Sequence, residues 1–398
     1  MLRNMLALLT LVMALSWNPV CAERRTTAPP KNPLYSAIAD DVYLQEIGQK
    51  VPTDKPVTAV AAWQDEIYAV SEGKLLRLHD GKLEAVEKSP SGLQQLFVLD
   101  GKLWGSTADA LYLFADDART SRKVFEGAVV DMCMHNGAVY AATRDEIFRL
   151  EDGAFVDIKP KSGWLTTDTT MIMEDGSQVL GDPIRLGAIE QIASYSDTLH
   201  LMRPNGLALI DGAILVEEPV DWGAMPSGKQ RDMLSHGSRL LIATDRGIAV
   251  LRGAALTTIT GKDGLPYEDV TCLAIGFDGD LWIVTTTGAI RNTGIQFHYF
   301  GAQHWLPADN VHAIVVQDKT AYIATDGGIG IIRYEPYTLR KKAAYFEQNV
   351  EAMGHKRLGF VHQLYRDGSA EDGRGLREIS DNDGGHTAHY LAAMSRSG

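Results

Sequence analysis

The chain has 398 residues, of which 45% are hydrophobic and 22% are charged, and its formal net charge is −13 at pH 7. A chain of this length can bury a sizeable core. Because the excess charge is negative, nucleic acid and anionic bilayers are poor partners, and an anionic ligand would need locally clustered basic residues.

The first 22 residues have the pattern of a secretory signal peptide. Arg3 gives a positive start, Met5–Trp17 is an apolar centre, and Val20-Cys21-Ala22 fits a small-residue cleavage site. The alternative, in which Cys21 is the acylated residue of a lipoprotein, fits the flanking residues less well. No later segment has about 20 uninterrupted apolar residues. We therefore expect a periplasmic or extracellular protein without a membrane span, beginning with a polar leader over residues 23–40.

A unit of about 40 residues recurs seven times between residues 41 and 336. Each copy contains an apolar residue followed by a second residue that is aromatic in most copies. These pairs are Ile67-Tyr68, Leu103-Trp104, Val139-Tyr140, Leu199-His200, Leu240-Leu241, Leu281-Trp282 and Ala321-Tyr322. Around each pair, short β-branched and aromatic runs alternate with Gly/Asp turn signals, which is typical of consecutive strands. The sequence therefore predicts an all-β fold, a seven-bladed β-propeller of four-stranded antiparallel blades.

The N-terminal strand is predicted to close the ring. Tyr43–Ala61 aligns with Phe297–Val315, so Val42–Ile47 corresponds to the outer strand of a blade. After the last pair, Ile329–Tyr334 supplies a third strand, and then the pattern stops. Pairing of these two strands would complete the last blade and hide an open sheet edge.

One interval between pairs is 60 residues long, and it leaves a segment at about 161–186 outside the repeat. The turn signal Glu174-Asp175-Gly176 predicts a projecting β-hairpin there. Half of a degenerate eighth blade is the alternative. Cys133 and Cys272 fall in innermost strands on opposite sides of the ring, so we expect free thiols rather than a disulfide.

Residues 337–398 have the pattern of a short mixed α/β extension. Leu339–Met353 has helical spacing, Arg357–Tyr365 is a candidate strand, and His386–Met394 is a candidate short helix. Because so short a helix is marginal alone, we expect the residues after about 366 to be poorly packed. This tail resembles the junction between a propeller and a helical toroid in large secreted bacterial proteins, which implies a truncated junction or a gene fragment.

Part of the repeat resembles a known family. The stretch Gly264–Arg291 is similar to the bacterial two-component-regulator propeller repeat, whose pattern is GLPSN, an apolar strand and D-x-[DN]-G-x-L-W-I-G-T. The matching residues are Gly264-Leu265-Pro266, Asp278-Gly279, Leu281-Trp282-Ile283, Thr285 and Gly288. Gly276 and Val284 depart from the pattern. The resemblance implies a ligand-sensing propeller, often placed before a membrane-spanning histidine kinase, and it carries no catalytic motif.

No metal or cofactor is predicted. The run Asp381–Gly385 fails the EF-hand pattern, which requires an oxygen ligand at the fifth position and Glu at the twelfth, so a helix-capping turn is the better interpretation. His386 and His389 lie three residues apart, but no third ligand is placed by the sequence. GxSxG, Walker and GxGxxG elements are not found with the context that they require.

The candidate ligand-binding residues lie on loops at one rim of the predicted channel. The loops between the second and third strands of the blades contribute Arg144, Arg203, Asp245, Arg246 and Asp326. The loops between blades contribute Asp221, Trp222, Tyr267, His304 and Trp305. Arg beside Trp and Tyr suits an acidic saccharide, with ring stacking and a bidentate fork for the carboxylate. The alternative is that these are ordinary solvated loop residues, and for Trp305 that it packs on a neighbouring loop.

Three functions remain open at this point. The first is an exported ligand-binding or sensor-type propeller, with an oligosaccharide as the ligand. The second is a propeller polysaccharide lyase or other carbohydrate-active enzyme, which needs a base beside an Arg; Tyr267, His304 and Arg246 are the candidates. The third is a protein-interaction scaffold that uses the rim or the tail. The lack of a catalytic motif favours the first.

Overall fold

The computed structural model describes the chain from residue 39 onward. It leaves out residues 117, 160, 163–187, 205, 212–213, 218–224, 228, 254, 353, 358–359, 363, 366–375, 378–382 and 398. The predicted signal peptide and nearly all of the predicted leader lie outside the described residues. The chain divides into two compact units, Leu44–Glu335 and a second formed by residues 1–43 with 336–398.

The larger unit is a ring of seven β-sheets, preceded by strand β1 (Tyr43–Pro52). Blades 1 and 2 consist of β2 (Val57–Trp63), β3 (Glu66–Ser71), β4 (Lys74–His79), β5 (Lys82–Ala85), β6 (Gln95–Leu99), β7 (Lys102–Ser106), β8 (Ala110–Phe114) and β9 (Ser121–Glu126). Blades 3 and 4 consist of β10 (Asp131–His135), β11 (Ala138–Ala142), β12 (Ile147–Glu151), β13 (Ala154–Asp157), β14 (Lys161–Ser162), β15 (Gln191–Tyr195), β16 (Thr198–Arg203), β17 (Gly206–Asp211) and β18 (Ile214–Glu217).

Blades 5 and 6 consist of β19 (Gln230–His236), β20 (Arg239–Thr244), β21 (Gly247–Arg252), β22 (Ala255–Ile259), β23 (Val270–Ile275), β24 (Leu281–Thr285), β25 (Gly288–Asn292) and β26 (Phe297–Phe300). Blade 7 contains β27 (Val311–Gln317), β28 (Thr320–Thr325) and β29 (Gly328–Tyr337). A short 3-10 helix, Gly261–Asp263, precedes blade 6. The predicted fold, a seven-bladed propeller of four-stranded antiparallel blades, is confirmed.

The core lies between the blades rather than within any one of them. The aromatic residue of the repeated pair packs on the next blade: Tyr68 of blade 1 contacts a cluster with Leu93 and Leu103 of blade 2. Trp104 and Trp282 are at most 1% exposed. Because one blade cannot cover both of its faces, the ring is stabilised by these repeated interfaces. The aromatic positions of the pairs therefore serve packing.

The predicted ring closure is confirmed. The seventh sheet has the strand order β1-β29-β28-β27, so the N-terminal strand supplies the outer strand of the last blade. Arg333 of β29 donates to the Gln49 side chain of β1 over 2.9 Å. Backbone contact reaches the end of the strand, where Thr53 donates to the carbonyl of Gly327 over 2.9 Å. The edge that β29 would otherwise expose is therefore covered.

The fourth blade carries the long insertion. Its first residues form β14, which pairs in parallel with β18 and gives this blade a fifth strand. The rest of the predicted hairpin at about 161–186 lies outside the described residues. The inner strands β10 and β15 of blades 3 and 4 contact each other directly, so the alternative of an eighth blade between them is wrong. Cys133 and Cys272 are free thiols, as expected.

Among the described residues of the smaller unit, two helices and four short strands are present. They are α1 (Leu339–Ala352), β30 (Lys356–Arg357), β31 (Phe360–Val361), β32 (Leu364–Tyr365), β33 (Leu376–Arg377) and α2 (Asp383–Ser397). The predicted strand over 357–365 is thus divided into pieces, and the last helix is longer than predicted. Of the helices described, none is long and apolar enough to span a bilayer.

The expectation that the residues after about 366 are poorly packed stays a prediction: of the described α2 residues only Asp383 is buried and Leu391 is 60% exposed, yet the helix makes tertiary hydrogen bonds. The Tyr390 hydroxyl of α2 donates to Glu347 of α1 over 2.6 Å. The backbone N–H of Val361 in β31 donates to Thr387 over 2.9 Å. Asp383, which is 6% exposed, lies 2.8 Å from His362. A short helix that is marginal alone is held here by tertiary hydrogen bonds, which the helical spacing of the sequence does not reveal.

Candidate functional site

The innermost strands of neighbouring blades contact one another around the ring and form the wall of its central channel. In blades 1, 5, 6 and 7 the pairing of the innermost strand shifts by one residue near its start. A bulge of this kind leaves one residue unpaired and redirects its side chain. The bulged residues are Thr58, Arg231, Thr271 and His312.

Arg231 of blade 5 is held by the loop that leads into blade 6. Its Nη2 lies 2.7 Å from Oδ1 of Asp269, and the other oxygen of that carboxylate accepts a hydrogen bond from Thr286 over 2.9 Å. The arginine side chain is 20% exposed and the aspartate 40% exposed. The guanidinium is therefore oriented by a fixed anion while it remains accessible to a ligand.

His312 of blade 7 is held in a similar way. Its Nε2 lies 2.6 Å from Oδ1 of Asp326, and Oδ2 of the same carboxylate accepts from Asn310 over 3.0 Å. The hydrogen bonds from Asn310 and His312 lower the pKa of Asp326 below its usual value. We call the half-exposed set Arg231, Asp269, Thr271, Asn310, His312 and Asp326 the bulge site.

Polar side chains on the innermost strands also link neighbouring blades. Asp131 of blade 3 accepts from the backbone of Ile192 in blade 4 over 2.9 Å. Asp232 of blade 5 accepts from Gln191 of blade 4 over 3.1 Å and from the backbone of Leu273 in blade 6 over 2.6 Å. Four blades are joined in this way. Burial raises the pKa of Asp131 to about 7 and that of Asp232 to about 6.

The predicted loop residues differ in exposure. Arg144 and Arg246 are exposed, and Asp245 and Arg203 are half-buried. Asp326 belongs to the bulge site. Trp222, with Asp221, lies outside the described residues. None of the described contacts joins Arg144 or Arg246 to another candidate residue.

The three remaining candidates differ in their surroundings. Tyr267 is 39% exposed, and its ring centre lies 5.1 Å from that of Tyr299. His304 is exposed. Trp305 meets Phe300 edge-on at 5.2 Å and packs against a cluster shared by blades 6 and 7. These contacts agree with the packing interpretation of Trp305. No described contact brings Tyr267, His304 and Arg246 together as the base and arginine of a lyase.

Sequence reasoning missed Arg231, Asp269, His312 and Tyr299. A signal for two of them was present: Thr58, Arg231 and His312 each stand nine residues before the first member of the repeated pair. The residue one place earlier is aliphatic in six of the seven blades, at Val57, Leu93, Val129, Ile189, Val270 and Val311. In blade 5 the residue before Arg231 is Gln230, and in blades 2 and 4 polar residues follow the aliphatic one without a shift in pairing. Only the pairing therefore shows which position bulges.

Family models do not match this chain, and neither do curated proteins. Solved structures share its fold. The extracellular domain assigned to the hybrid two component system BT4673 from B. thetaiotaomicron has a TM-score of 0.54 at 14% identity, and the match covers 74% of this chain and 40% of that chain. The corresponding domain of BT3049 gives 0.53 at 14% identity, covering 70% and 40%. This chain thus spans less than half of those chains.

An enzyme shares the fold as well. Virginiamycin B lyase from Staphylococcus aureus has a TM-score of 0.53 at 14% identity, and the match covers 74% of this chain and 99% of that chain. Identities this low show the common fold alone. The chain is a seven-bladed β-propeller of the same fold as the extracellular domains of two-component systems, with a half-exposed polar site where its innermost strands bulge.

Proposed function

We propose that this protein is an exported, sensor-type β-propeller that binds an oligosaccharide at the bulge site. The observation that supports this most is the variation at the bulge positions. Arg231, Thr271 and His312 differ in type and are partly exposed, whereas the preceding position is aliphatic in six blades. Ring packing needs the aliphatic residues but does not need a histidine after Val311 or an arginine after Gln230, the one polar residue at the preceding position. Such irregular residues on a regular scaffold are typical of binding sites.

The chemistry of the bulge site suits a polyhydroxylated ligand. Arg231 and Asn310 are donors, the carboxylates Asp269 and Asp326 are acceptors, and the imidazole of His312 has one nitrogen bound to Asp326. Sugar hydroxyls both donate and accept, so they match a mixed set of this kind. The Arg231–Asp269 ion pair and the His312–Asp326 hydrogen bond orient the site before a ligand arrives, which lowers the entropy lost on binding.

Export and sensing are supported by two further observations. The first 22 residues have the composition of a signal peptide. The similar structures BT4673 and BT3049 are extracellular domains of two component systems. The resemblance of Gly264–Arg291 to the two-component-regulator propeller repeat points the same way. Signalling would then depend on a partner or segment that transmits ligand binding across the membrane.

The test is a screen of soluble oligosaccharides by thermal shift, followed by calorimetry on the hits. A ligand present at 100 times its Kd stabilises the folded state by about 2.7 kcal/mol, which is readily measured. We expect Arg231→Ala to abolish the shift with little change in unliganded Tm. Arg149→Ala, on an exposed strand position of blade 3, is the matched control and should bind normally. Equal binding by both variants would refute a role for the bulge site.

A lyase is the second candidate, and one observation favours it. His312 is hydrogen-bonded to Asp326, the arrangement in which a carboxylate orients a general base. The fold is also that of virginiamycin B lyase. Mass analysis of the screened mixtures distinguishes the two functions. Unsaturated products that vanish in His312→Ala would establish the lyase, and binding without turnover would favour the sensor.

A further inference from the structure

A second surface with the chemistry of a sugar site lies on blade 6, between the loop that leads into the blade and its outermost strand. Tyr267, in the loop before the blade, and Tyr299, in the outer strand β26, are neighbours with ring centres 5.1 Å apart and planes inclined by 50°. They are 39% and 38% exposed. Two adjacent tyrosines with this much exposed surface contribute less to the core than buried aromatic residues do.

The position of Tyr299 is set by two glycines. A Cβ atom at Gly301 would lie 2.6 Å from the tyrosine hydroxyl, and one at Gly288 would lie 2.7 Å from its Cε2. Both glycines therefore leave room that the ring occupies. Because a ring seated against backbone has little freedom to move, the platform is formed before any ligand binds.

Two carboxylates are associated with the tyrosines, one through the sequence and one through space. Glu268 follows Tyr267 in sequence, and its Oε1 accepts from the backbone of Gly261 over 2.6 Å. Asp309 acts electrostatically on Tyr299, and its Oδ1 accepts from the backbone of Ala302 over 2.6 Å. The second oxygen of each carboxylate has no partner among the described residues. These oxygens are acceptors, held in place by the hydrogen bonds that the first oxygens accept.

The phenol of Tyr299 remains a donor at neutral pH. Burial, with the charge of Asp309 and the neighbouring Tyr267, raises the pKa of Tyr299 to about 12. A protonated hydroxyl beside a fixed carboxylate can donate to one sugar oxygen while the carboxylate accepts from a neighbouring hydroxyl. The surface therefore combines an apolar ring face with hydrogen-bonding groups at its edge.

We propose that Tyr267 and Tyr299 form a stacking platform for one ring of an uncharged oligosaccharide whose hydroxyls donate to Glu268 and Asp309. This inference rests on the proposed function. It adds a second surface that contacts the ligand, and it specifies that the sugar is uncharged. A uronic acid would bring its own carboxylate beside two others, and the net charge of −13 makes that contact still less favourable. Neutral sugars are thus selected, in contrast to the acidic saccharide expected from the loop arginines.

The platform adjoins the bulge site at one end, because Tyr267 lies only two residues before Asp269. Tyr299 is farther away, on the outermost strand β26, whereas Thr271 lies on the innermost strand β23. Three strand spacings amount to roughly 14 Å. A chain of several sugar rings is needed to contact both Tyr299 and Thr271, so the length dependence of affinity is a further property to measure.

The experiment uses the full chain with neutral and uronic-acid oligosaccharides of matched length, measured by calorimetry. We expect the neutral series to bind more tightly, Tyr299→Ala to lower its affinity about tenfold, and Tyr299→Phe to retain most of it because the ring face remains. Tyr345→Ala, at a tyrosine that is 53% exposed in the other unit, is the control and should bind normally. The unliganded Tm of each variant verifies that it is folded.

Charge selection is tested with the double variant Glu268→Gln, Asp309→Asn. Uronic-acid oligosaccharides should gain affinity in this variant relative to the unchanged protein. A preference of the unchanged protein for uronic acids, or an unaltered affinity in Tyr299→Ala, would overturn the proposal. If Arg231→Ala loses binding while Tyr299→Ala does not, the platform is wrong and the proposed function stands. If no oligosaccharide binds at all, both are wrong.

Discussion

Trp305 packs directly on the backbone of Gly48. A Cβ atom at position 48 would lie 2.8 Å from Cε3 of the indole, closer than real side chains approach. Gly48 belongs to β1, the N-terminal strand that completes blade 7, and Trp305 belongs to the loop between blades 6 and 7. Gly48, in the first strand of the propeller sequence, therefore leaves room for Trp305, which precedes the last blade.

We expect Trp305→Ala to lower the free energy of unfolding by about 2–4 kcal/mol, because it removes a large side chain packed on Phe300 and Gly48. Oligosaccharide affinity should be unchanged. Urea denaturation measures the first effect and calorimetry the second. Full stability with weakened ligand binding would instead favour the stacking role considered from the sequence.

Gly48→Ala should destabilise the same interface from the other side. The added methyl would displace the indole, at a cost of about 1–3 kcal/mol. In the double variant with Trp305→Ala the methyl has space, so the two effects should not add. A double-mutant cycle by urea denaturation measures this coupling. Additive effects would show that the two residues do not interact in solution.

Removal of β1 should open the ring. We expect deletion of residues 1–52 to expose the edge of β29 and to produce soluble aggregates, since an unpaired strand is a template for further pairing. Size-exclusion chromatography with light scattering measures the oligomers. Deletion of residues 1–38 keeps β1 and is the control. A monomeric protein with unchanged Tm after the longer deletion would be inconsistent with closure by β1.

Loss of the buried charge of Arg291 in blade 6 should strongly lower the free energy of unfolding. Arg291 is 8% exposed, hydrogen-bonds to Asp280 and, over 2.9 Å, to Asp278, and its guanidinium lies 4.4 Å from the ring centre of Tyr334. Arg291→Ala leaves the buried Asp280 unpaired, which should cost about 3–5 kcal/mol in unfolding free energy.

Arg149 is the matched control for Arg291. It lies opposite Tyr140 in blade 3 as Arg291 lies opposite Trp282 in blade 6. Its side chain is 47% exposed and pairs with Glu151 at 3.5 Å, so Arg149→Ala should cost no more than about 1 kcal/mol. Chemical denaturation compares the two variants. Similar losses of unfolding free energy in both variants would mean that burial does not determine how much an arginine at this blade position contributes to stability.

Stability should fall as pH rises from about 4 to 7. The pKa of Asp131 is raised from 3.8 to about 7 and that of Asp232 to about 6, so the folded state keeps protons that the unfolded chain has released. The stability that these groups contribute is fully present below pH 4 and is lost as the pH passes the raised values. Each group changes the unfolding free energy by up to about 1.4 kcal/mol per pH unit.

Asp131→Asn should flatten this pH dependence because it removes one titrating group and keeps an acceptor for the backbone of Ile192. Denaturation midpoints at pH 4 to 8 measure the slope. Asp145→Asn, at an exposed turn position, is the control and should retain the slope of the unchanged protein. An identical slope in Asp131→Asn would show that Asp131 is ionised throughout this range.

Much of the fold was determined by the sequence itself. The apolar-aromatic pairs recur because every blade must present the same residues to its neighbour, so Tyr68, Trp104 and Trp282 could be assigned to the core before any coordinates. Ring closure followed from the same repeat, since a blade that lacks an outer strand implies that another segment supplies it. Periodicity carries this information because it reflects a local and repeated packing requirement.

The candidate site was decided by the tertiary structure. Whether a residue beside the channel faces its neighbour or the open channel depends on a one-residue shift in pairing, and a shift of one reverses the direction of a side chain on a strand. Arg231 and His312 share a position in the repeat, but the sequence does not show that they are unpaired there. The role of Trp305 was ambiguous for a related reason. It packs on Gly48, which lies next to it only because β1 joins β29 as the outer strand of the last blade.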